Sequence, residues 1–323
     1  MSFSQSSLDE DLAIAVLIPC YNEDAAIGSV VTSFRHCLPM ATIYVYDNNS
    51  TDRTACVARD AGAVVRTEAS QGKGHVVRRM FADVEADVYV LVDGDGTYEA
   101  EAAPRLVAKL IGGPYDLVNG SRVHASEAAY RPGHVLGNRL LSHLVALFFG
   151  RQVRDMLSGY KALSRRFVKS CPVLTSGFEI ETEMLVHALE LRVPMAELPT
   201  IYRERAEGSH SKLSTYRDGL RILRLIGHLV KNERPLLFFG GVGGVLAVSS
   251  LALGTPVVLE YLRTGLVPRF PTAILATGLM LSAGLSLFAG LILEGLVHAR
   301  REAKLLRYLA LPAVGARRSR GLV

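Results

Sequence analysis

The sequence predicts an α/β domain with a mostly parallel sheet, followed by a hairpin of two membrane-spanning helices. Apolar, strand-like runs alternate with helical patterns through the first part of the chain, and polar clusters follow three of those runs. Two long uncharged segments follow nearer the C-terminus. Alternation of strand and helix is typical of a parallel sheet covered by helices on both faces.

The predicted elements follow one another without an internal repeat. LAIAVLIP is a strand before a helix from about Asp24, and TIYVYD is a strand before a helix over residues 51–61 that Gly62 ends. AVVRT, a helix after Gly74, the strand VYVLVD and a helix after Glu99 complete the order. Ligands of such sheets bind beyond the carboxyl ends of the strands, so we expect the polar clusters there to converge on one site.

Residues 88–100, VYVLVDGDGTYEA, are the most informative segment. The apolar run predicts a buried strand that delivers Asp93 and Asp95 to its own end. Gly94 and Gly96 relax the alternation of side chains, so both carboxylates could approach one hard cation such as Mg²⁺ or Mn²⁺. An isolated DGD is more often an ordinary turn after a strand, so the other motifs must decide between the two interpretations.

The composition predicts that part of the chain lies in a membrane. Hydrophobic residues make up 49% of the sequence, and the mean hydropathy of +0.24 exceeds that of most soluble domains. No ionisable residue occurs from Leu236 to Leu259 or from Phe270 to Leu293. We expect spans at about 236–260 and 270–297, each long enough to cross the hydrocarbon core.

The positive charge is localised and sets the expected topology. Of the formal net charge of +5, residues 299–323 hold seven basic residues and one acidic residue, which indicates a basic tail rather than a nucleic-acid surface. Lys and Arg flank the spans more densely than they occupy the connection between them, which predicts that the catalytic part and both termini are cytoplasmic. The start, MSFSQSSLDEDLA, lacks the pattern of an export signal. The four cysteines are widely spaced and predict neither a disulfide framework nor a zinc site.

We therefore expect four regions along the chain. They are a cytosolic catalytic domain over 1–212, a juxtamembrane helix over 213–235, the two spans within 236–298, and a basic cytoplasmic tail over 299–323. In the juxtamembrane segment, apolar residues recur at helical spacing among basic ones. This pattern fits a helix on the membrane surface or a buried soluble helix. Gly240 and Gly244 indicate a small-residue helix contact rather than a dinucleotide-binding loop.

Eight motifs occur in a characteristic order. They are IPCYNED, YDNNSTD, GKG, VDGDGTY, NGSR, DMLSGYKAL, GFEIETE and YRERAEGSHSKL. Together they resemble family-two glycosyltransferases of the GT-A fold, which has a Rossmann-like sheet, and most closely the polyprenyl-phosphate glycosyltransferases such as dolichyl-phosphate mannose synthase. The resemblance covers about residues 12–235. It implies a UDP- or GDP-sugar donor, an undecaprenyl- or dolichyl-type phosphate acceptor and a homo-oligomer, a tetramer by analogy.

The resemblance also implies roles for individual residues. It assigns nucleotide binding to Pro19, Tyr21, Glu23, Asp47, Lys73, Asp93 and Gly94, and the metal to Asp93 and Asp95. Thr97 stands where relatives often carry a further acidic or amide metal partner. Lys73 lies between two glycines before a helix, where it could meet phosphate or remain a solvated loop lysine. Cationic positions around the donor and acceptor phosphates match Arg122, Arg139, Arg205 and Lys212, although any one of them alone could be a surface charge.

Asp155, in DMLSGYKAL, is the candidate for orienting the attack or acting as a base, with a turn or helix cap as the alternative. A polyprenyl monophosphate is already ionised near neutral pH, so no strong base is obligatory. The resemblance further implies that one of Glu179, Glu181 and Glu183 faces the sugar or the acceptor.

The expected function is the inverting, metal-dependent transfer of a single sugar to a lipid phosphate, as in cell-envelope glycan biosynthesis. A processive polysaccharide synthase is one alternative, but such enzymes carry a QxxRW-type motif, and the chain contains no tryptophan. A non-catalytic nucleotide-sugar scaffold is the other. Retention of both aspartates together with Arg205 and Lys212 argues against it.

Overall fold

The computed structural model describes residues 12–124, 143, 153–177, 179–203, 227 and 231–314. The chain divides into two compact units. The first comprises Met1–Gly219 with Lys304–Val323, and the second comprises Leu220–Ala303.

The first unit is built on a seven-stranded sheet with the order β3-β2-β1-β4-β6-β5-β7. Its strands are β1 Ile14–Cys20, β2 Thr42–Asp47, β3 Val64–Thr67, β4 Val88–Leu91, β5 Leu117–His124, β6 Lys161–Ser164 and β7 Met195–Tyr202. Only β6 is antiparallel to its neighbours, β4 and β5, while the other pairs are parallel. The predicted α/β class with a mostly parallel sheet is confirmed.

Helices cover both faces of this sheet. They are α1 Asp24–Cys37, α2 Thr54–Asp60, α3 Lys73–Asp83, α4 Ala103–Gly112, α5 Arg165–Ser170 and α6 Ile180–Glu190, with a 3₁₀ turn at Ala100–Ala102. The second helix begins at Thr54 rather than at residue 51, and its N-cap residue is Arg53. Asp52 lies before the helix, where its Oδ1 accepts from Thr54 N at 2.9 Å and from Thr54 Oγ1 at 2.5 Å.

The core lies on both sides of the central strands. Val90 of β4 and Ala162 of β6 pair in register, and both belong to a buried apolar cluster with Val16 of β1 and Ile27 of α1. All four residues of β4 are buried, as expected for a strand packed on both faces. The carboxyl end of β4 is therefore held rigidly beside the ends of its neighbours.

The second unit contains most of two long apolar helices, α7 Pro235–Thr264 and α8 Phe270–Leu309. An 18-residue window within each helix has a mean hydropathy of 2.1 in α7 and 1.9 in α8, and both helices are long enough to cross a membrane. Gly265 ends α7 in the left-handed conformation, with φ of 69°. These bounds match the predicted start of each span, whereas α8 extends beyond residue 297.

Small residues bring α7 and α8 together, but not those that the sequence indicated. A Cβ added to Gly243 would lie 3.0 Å from the Ala283 carbonyl oxygen, and Ser250 Oγ donates to the Ala276 carbonyl at 2.7 Å. A Cβ added to Gly240 or Gly244 would meet no atom of the described residues within 4 Å. Among the described residues, the face of α7 that meets α8 passes through Gly243 rather than through Gly240 and Gly244.

The last turns of α8 belong to the same compact unit as the sheet. Tyr308 Oη donates to the buried Asp116 carboxylate at 2.6 Å, and Lys304 forms a 2.8 Å ion pair with Glu190. Helix therefore continues into the segment predicted as a basic tail. Most of the predicted juxtamembrane helix, over 213–235, lies outside the described residues.

Candidate active site

Hydrogen bonds through one asparagine tie together the loops that follow β1, β2 and β3. Asn48 N donates to the Cys20 carbonyl at 2.9 Å, and Asn48 Nδ2 donates to the carbonyls of Glu68 at 2.9 Å and Ser70 at 2.8 Å. Asn48 Oδ1 accepts from Gly72 N at 2.7 Å. The strand ends are thus brought to one edge of the sheet, as the parallel topology requires.

Four of the residues implied in nucleotide binding, Pro19, Tyr21, Glu23 and Asp47, lie at this edge. Pro19 pairs in register with Tyr46 on β2, and Tyr21 and Glu23 are half-buried in the loop after β1. Asp47 ends β2 and is 7% exposed; its Oδ2 accepts from Ser50 N at 3.3 Å. Its buried Oδ1 has no hydrogen-bond partner among the described residues. A buried acceptor without a partner can accept a hydrogen bond from an N–H or O–H group of a ligand.

The two aspartates after β4 have different surroundings. The Asp93 side chain is 30% exposed, whereas Asp95 is 4% exposed. Thr97 donates to Asp95 Oδ1 from its N at 3.1 Å and from its Oγ1 at 2.6 Å, so this residue orients Asp95. Gly94 lies between them, and a Cβ there would come within 2.5 Å of Cys20 Sγ. The loop can lie against β1 because that position carries no side chain.

Lys73 links the exposed aspartate to a buried glutamate. Its Nζ forms ion pairs with Asp93 Oδ1 and with Glu181 Oε1. The Lys73 side chain is 10% exposed and that of Glu181 is 5% exposed, so Lys73 is not a solvated loop lysine. Burial alone would lower the pKa of Lys73, but the two carboxylates outweigh it and hold that pKa above its ordinary value.

Glu181 is the member of GFEIETE that reaches the site. Burial raises its pKa, and the Lys73 ammonium opposes that effect. Glu183 instead accepts from the backbone N of Leu174 at 2.7 Å and of Thr175 at 2.9 Å, which orders the loop before α6. The sequence could not choose among the glutamates because the choice depends on which one the start of α6 turns towards Lys73.

The glycines on either side of Lys73 have a packing role. A Cβ on Gly72, whose φ is 133°, would lie 2.3 Å from the Ser176 carbonyl oxygen, and one on Gly74 would lie 2.1 Å from that of Thr175. The GKG segment therefore packs closely against the backbone of residues 175–176. This packing places Lys73, the first residue of α3, beside Asp93.

Gly159 lies directly against the Asp93 carboxylate. A Cβ there would lie 2.3 Å from Asp93 Oδ2, and Gly159 N donates to Tyr98 Oη at 2.8 Å. The Tyr98 ring in turn lies 5.2 Å from that of Tyr202 and 5.4 Å from that of Tyr160, measured between centroids. The SGY segment had no predicted role, since no pattern in the sequence indicates that Gly159 lies against Asp93.

Asp155 and Arg122 form a bidentate ion pair. Arg122 Nε donates to Oδ2 at 2.7 Å and Nη2 donates to Oδ1 at 2.9 Å, and the backbone N of Arg122 adds a third bond at 3.1 Å. Burial opposes ionisation of Asp155, but these bonds and the guanidinium charge prevail and lower its pKa. The Arg122 guanidinium also lies 5.5 Å from the centre of the Tyr202 ring. This arrangement favours the orienting role of Asp155 over that of a base.

The donor set for a cation consists of carboxylates at one strand end. Among the described residues, no three or more His, Cys, Asp or Glu side chains are grouped so as to hold a metal. Two carboxylates fit a cation such as Mg²⁺ whose remaining ligands are water and substrate phosphates. Three other predicted cations, Arg139, Arg205 and Lys212, lie outside the described residues.

Comparison with known proteins adds independent information. The family model described as Glycosyl transferase family 2 matches residues 15–171. Glycosyltransferase AglJ of Haloferax volcanii is 33% identical over 296 residues, covering 90% of this chain and 95% of that protein. A dolichyl-phosphate hexose transferase of the same organism is 30% identical over 221 residues, covering 68% of this chain and 95% of that protein. Glucosyl-3-phosphoglycerate synthase from Mycobacterium tuberculosis, in a crystal structure with Mn²⁺ and UDP, has a TM-score of 0.56 at 26% identity and covers 68% of this chain and 80% of its own.

We predict that Gly159→Ala destabilises the first unit by about 1–3 kcal/mol, because the added methyl group would be forced against the Asp93 carboxylate. Thermal unfolding of the detergent-solubilised protein measures the effect. Gly112→Ala is the matched control, since a Cβ at this exposed position at the end of α4 meets nothing within 4 Å. Equal melting temperatures for the two variants would show that Gly159 does not support Asp93 at close range.

Proposed function

The chain belongs to glycosyl transferase family 2, and we propose that it transfers one sugar from a nucleoside-diphosphate sugar to a polyprenyl monophosphate. One observation carries the proposal. Carboxylates suited to a divalent cation and the cations Lys73 and Arg122 lie at the same end of the sheet, in a chain with two helices long and apolar enough to cross a membrane.

The donor side rests on Asp93, Asp95 and Asp47. The two former residues would hold Mg²⁺ or Mn²⁺ together with diphosphate oxygens, and the Mn²⁺ and UDP in the related synthase support this assignment. When bound, the cation would neutralise the charge of the leaving diphosphate as a Lewis acid. Asp47 Oδ1, buried and without a hydrogen-bond partner among the described residues, would accept from the nucleoside. Lys73, at the first residue of α3, would reach the diphosphate.

The acceptor side rests on Arg122 and on the apolar helices. A relative named as a dolichyl-phosphate hexose transferase matches 68% of this chain, which supports a lipid phosphate as the acceptor. The guanidinium of Arg122 offers forked donors that suit a phosphate. We assign the same role to Arg139, Arg205 and Lys212. The acceptor phosphate would thereby meet a cationic rim beside the donor.

The transfer is a single displacement. An ionised oxygen of the lipid phosphate bonds to the anomeric carbon, while the bond from that carbon to the diphosphate breaks and the nucleoside diphosphate leaves with the electron pair. Attack from the opposite face inverts the anomeric configuration. The phosphate needs no deprotonation, because its second pKa is about 6 by analogy with phosphorylated side chains. Catalysis then depends on alignment and on charge neutralisation.

The basic segments flanking α7 and α8 support a membrane protein whose catalytic unit and both termini are cytoplasmic. The acceptor phosphate would then be met at the cytosolic surface of the inner or plasma membrane. By analogy with relatives of the family that the motifs resemble, the proposal includes a homo-oligomer, a tetramer.

Incubation of membranes with labelled UDP- and GDP-sugars, polyprenyl phosphate and Mn²⁺ tests the function. We expect solvent-extractable label that mild acid releases, dependent on added polyprenyl phosphate. Label in polymer would support a polysaccharide synthase instead, and absence of label would support a scaffold.

Asp95→Asn should reduce sugar transfer at least about 100-fold, because the variant lacks a proposed metal ligand. Loss of a residue that only orients a metal ligand costs less. Asp60→Asn, an exposed aspartate at the end of α2, is the control.

A second prediction separates the two roles of Asp155. If Asp155 acts only by orienting Arg122, the double variant Asp155→Asn/Arg122→Gln should transfer sugar about as well as Arg122→Gln alone. If Asp155 were an independent base, the two losses would multiply. The measurement is kcat/KM for the lipid phosphate in the two single variants and the double variant.

A further inference from the structure

The loop between α5 and α6 contains a strained residue that the proposed reaction does not explain. Val173 has a φ of 45°, in the left-handed region that a β-branched residue rarely adopts. The residue is 1% exposed, so the strain lies inside the protein. Such strain persists only where the surrounding structure maintains it, and it is concentrated at functional sites.

Two side chains from neighbouring helices hold this loop in place. The Glu183 carboxylate of α6 accepts from Leu174 N at 2.7 Å, from Thr175 N at 2.9 Å and from Thr175 Oγ1 at 2.6 Å. Arg78 of α3 donates from Nε to the Val173 carbonyl at 2.8 Å. No ion pair to Glu183 occurs in the described part of the chain, so the loop supplies the partners of its carboxylate.

The loop in turn packs against the GKG segment. Gly74 N donates to the Ser176 carbonyl at 3.0 Å. A Cβ on Gly72 would lie 2.3 Å from that carbonyl oxygen, and one on Gly74 would lie 2.1 Å from the Thr175 carbonyl oxygen. The two backbones are therefore in direct contact on both sides of Lys73, and a shift of the loop would displace the glycines that flank this lysine.

The start of α6 thus acts on Lys73 in two ways. Glu181 pairs with its ammonium directly, while Glu183 fixes the backbone against which the GKG segment packs. Residues two apart on a helix do not face the same side, which is consistent with these two separate targets. The same lysine contacts Asp93 at the end of β4.

We propose that Glu183 is a positioning residue for the nucleotide: through the loop over residues 173–176 it fixes the GKG backbone and so holds Lys73 where the donor diphosphate binds. The inference rests on the proposed function, in which Lys73 reaches that diphosphate. The strain at Val173 is then maintained by the contacts that order the site.

Acetylation of lysines in the purified full-length protein, followed by mass spectrometry, tests the placement of Lys73 without any ligand. Wild-type Lys73 should react slowly, since its side chain is 10% exposed and paired with two carboxylates. We expect Glu183→Gln to raise the acetylation rate of Lys73 at least about fivefold, the factor that corresponds to one hydrogen bond of ordinary strength. Lys161, which is 0% exposed, should stay protected.

Glu101→Gln is the matched control, because the Glu101 side chain is 64% exposed and the substitution is the same. An unchanged rate at Lys73 in Glu183→Gln would overturn the proposal. If Lys161 also becomes reactive, the variant has unfolded, and Thr175→Val replaces it. That variant lacks only the Oγ1 bond to Glu183, and it should raise the rate at Lys73 at least about twofold. No increase there would overturn the proposal as well.

Calorimetric binding of UDP with Mn²⁺ tests whether the effect on the nucleotide passes through Lys73. Glu183→Gln should weaken UDP binding at least about fivefold in the wild-type background. In a Lys73→Gln background it should cause little further loss, because the group that it positions is already absent. A merely structural role predicts the same further loss in both backgrounds, and that result would overturn the proposal.

The two experiments separate this inference from the proposed function. Wild-type protein that binds neither UDP nor GDP with Mn²⁺ contradicts the proposed function, whereas acetylation still decides whether Glu183 holds Lys73. Wild-type protein that binds a nucleotide with an affinity that Glu183→Gln leaves unchanged overturns this inference alone.

Discussion

The sharing of one ammonium between two carboxylates is the interaction on which the site depends. Lys73 contacts Asp93 at the end of β4 and Glu181 at the start of α6, and it does so from a largely buried position. Pairing stabilises ionised groups that are removed from water, so the charged form of Lys73 depends on its two carboxylate partners. The site therefore holds one ammonium in contact with two carboxylates at the carboxyl end of the sheet.

Backbone packing makes this cluster possible. The glycines beside Lys73 allow α3 to press against residues 175–176, and Gly159 leaves room for the Asp93 carboxylate. Asn48 ties together the loops after three strands. The antiparallel strand β6 starts two residues after Gly159 and so fixes the turn that contains this glycine. The fold thus supplies both the two carboxylates and the ammonium that pairs with them.

The parts of this account that the sequence predicted are those set by short-range pattern. Uninterrupted apolar runs located β1, β2 and β4, the polar residues after them marked the site, and the uncharged segments located α7 and α8. The ordered motifs indicated the family, and the comparisons confirmed it. Asp93 and Lys73 could be singled out because strand ends and glycine-flanked lysines are visible along the chain.

The remaining features depend on contacts between distant segments. The direction of β6, the choice of Glu181 over its neighbours and the closeness of Gly159 to Asp93 all arise from tertiary packing that leaves no periodic signal. Gly240 and Gly244 form an apparent contact motif, yet the face of α7 that meets α8 carries Gly243. Lys161 was part of a recognised motif, but its burial could not be inferred, because a lysine beside a tyrosine and an alanine is ordinarily exposed.

We infer that a bound donor completes the cation site, because the described residues at this strand end supply two carboxylates, Asp93 and Asp95, and Asp93 is already paired with Lys73. Electron paramagnetic resonance of Mn²⁺ added to the purified protein, with and without UDP or GDP, measures this dependence. We expect weak Mn²⁺ binding alone and much tighter binding when a nucleoside diphosphate is present. Equal Mn²⁺ affinity in the presence and absence of both nucleotides would contradict it.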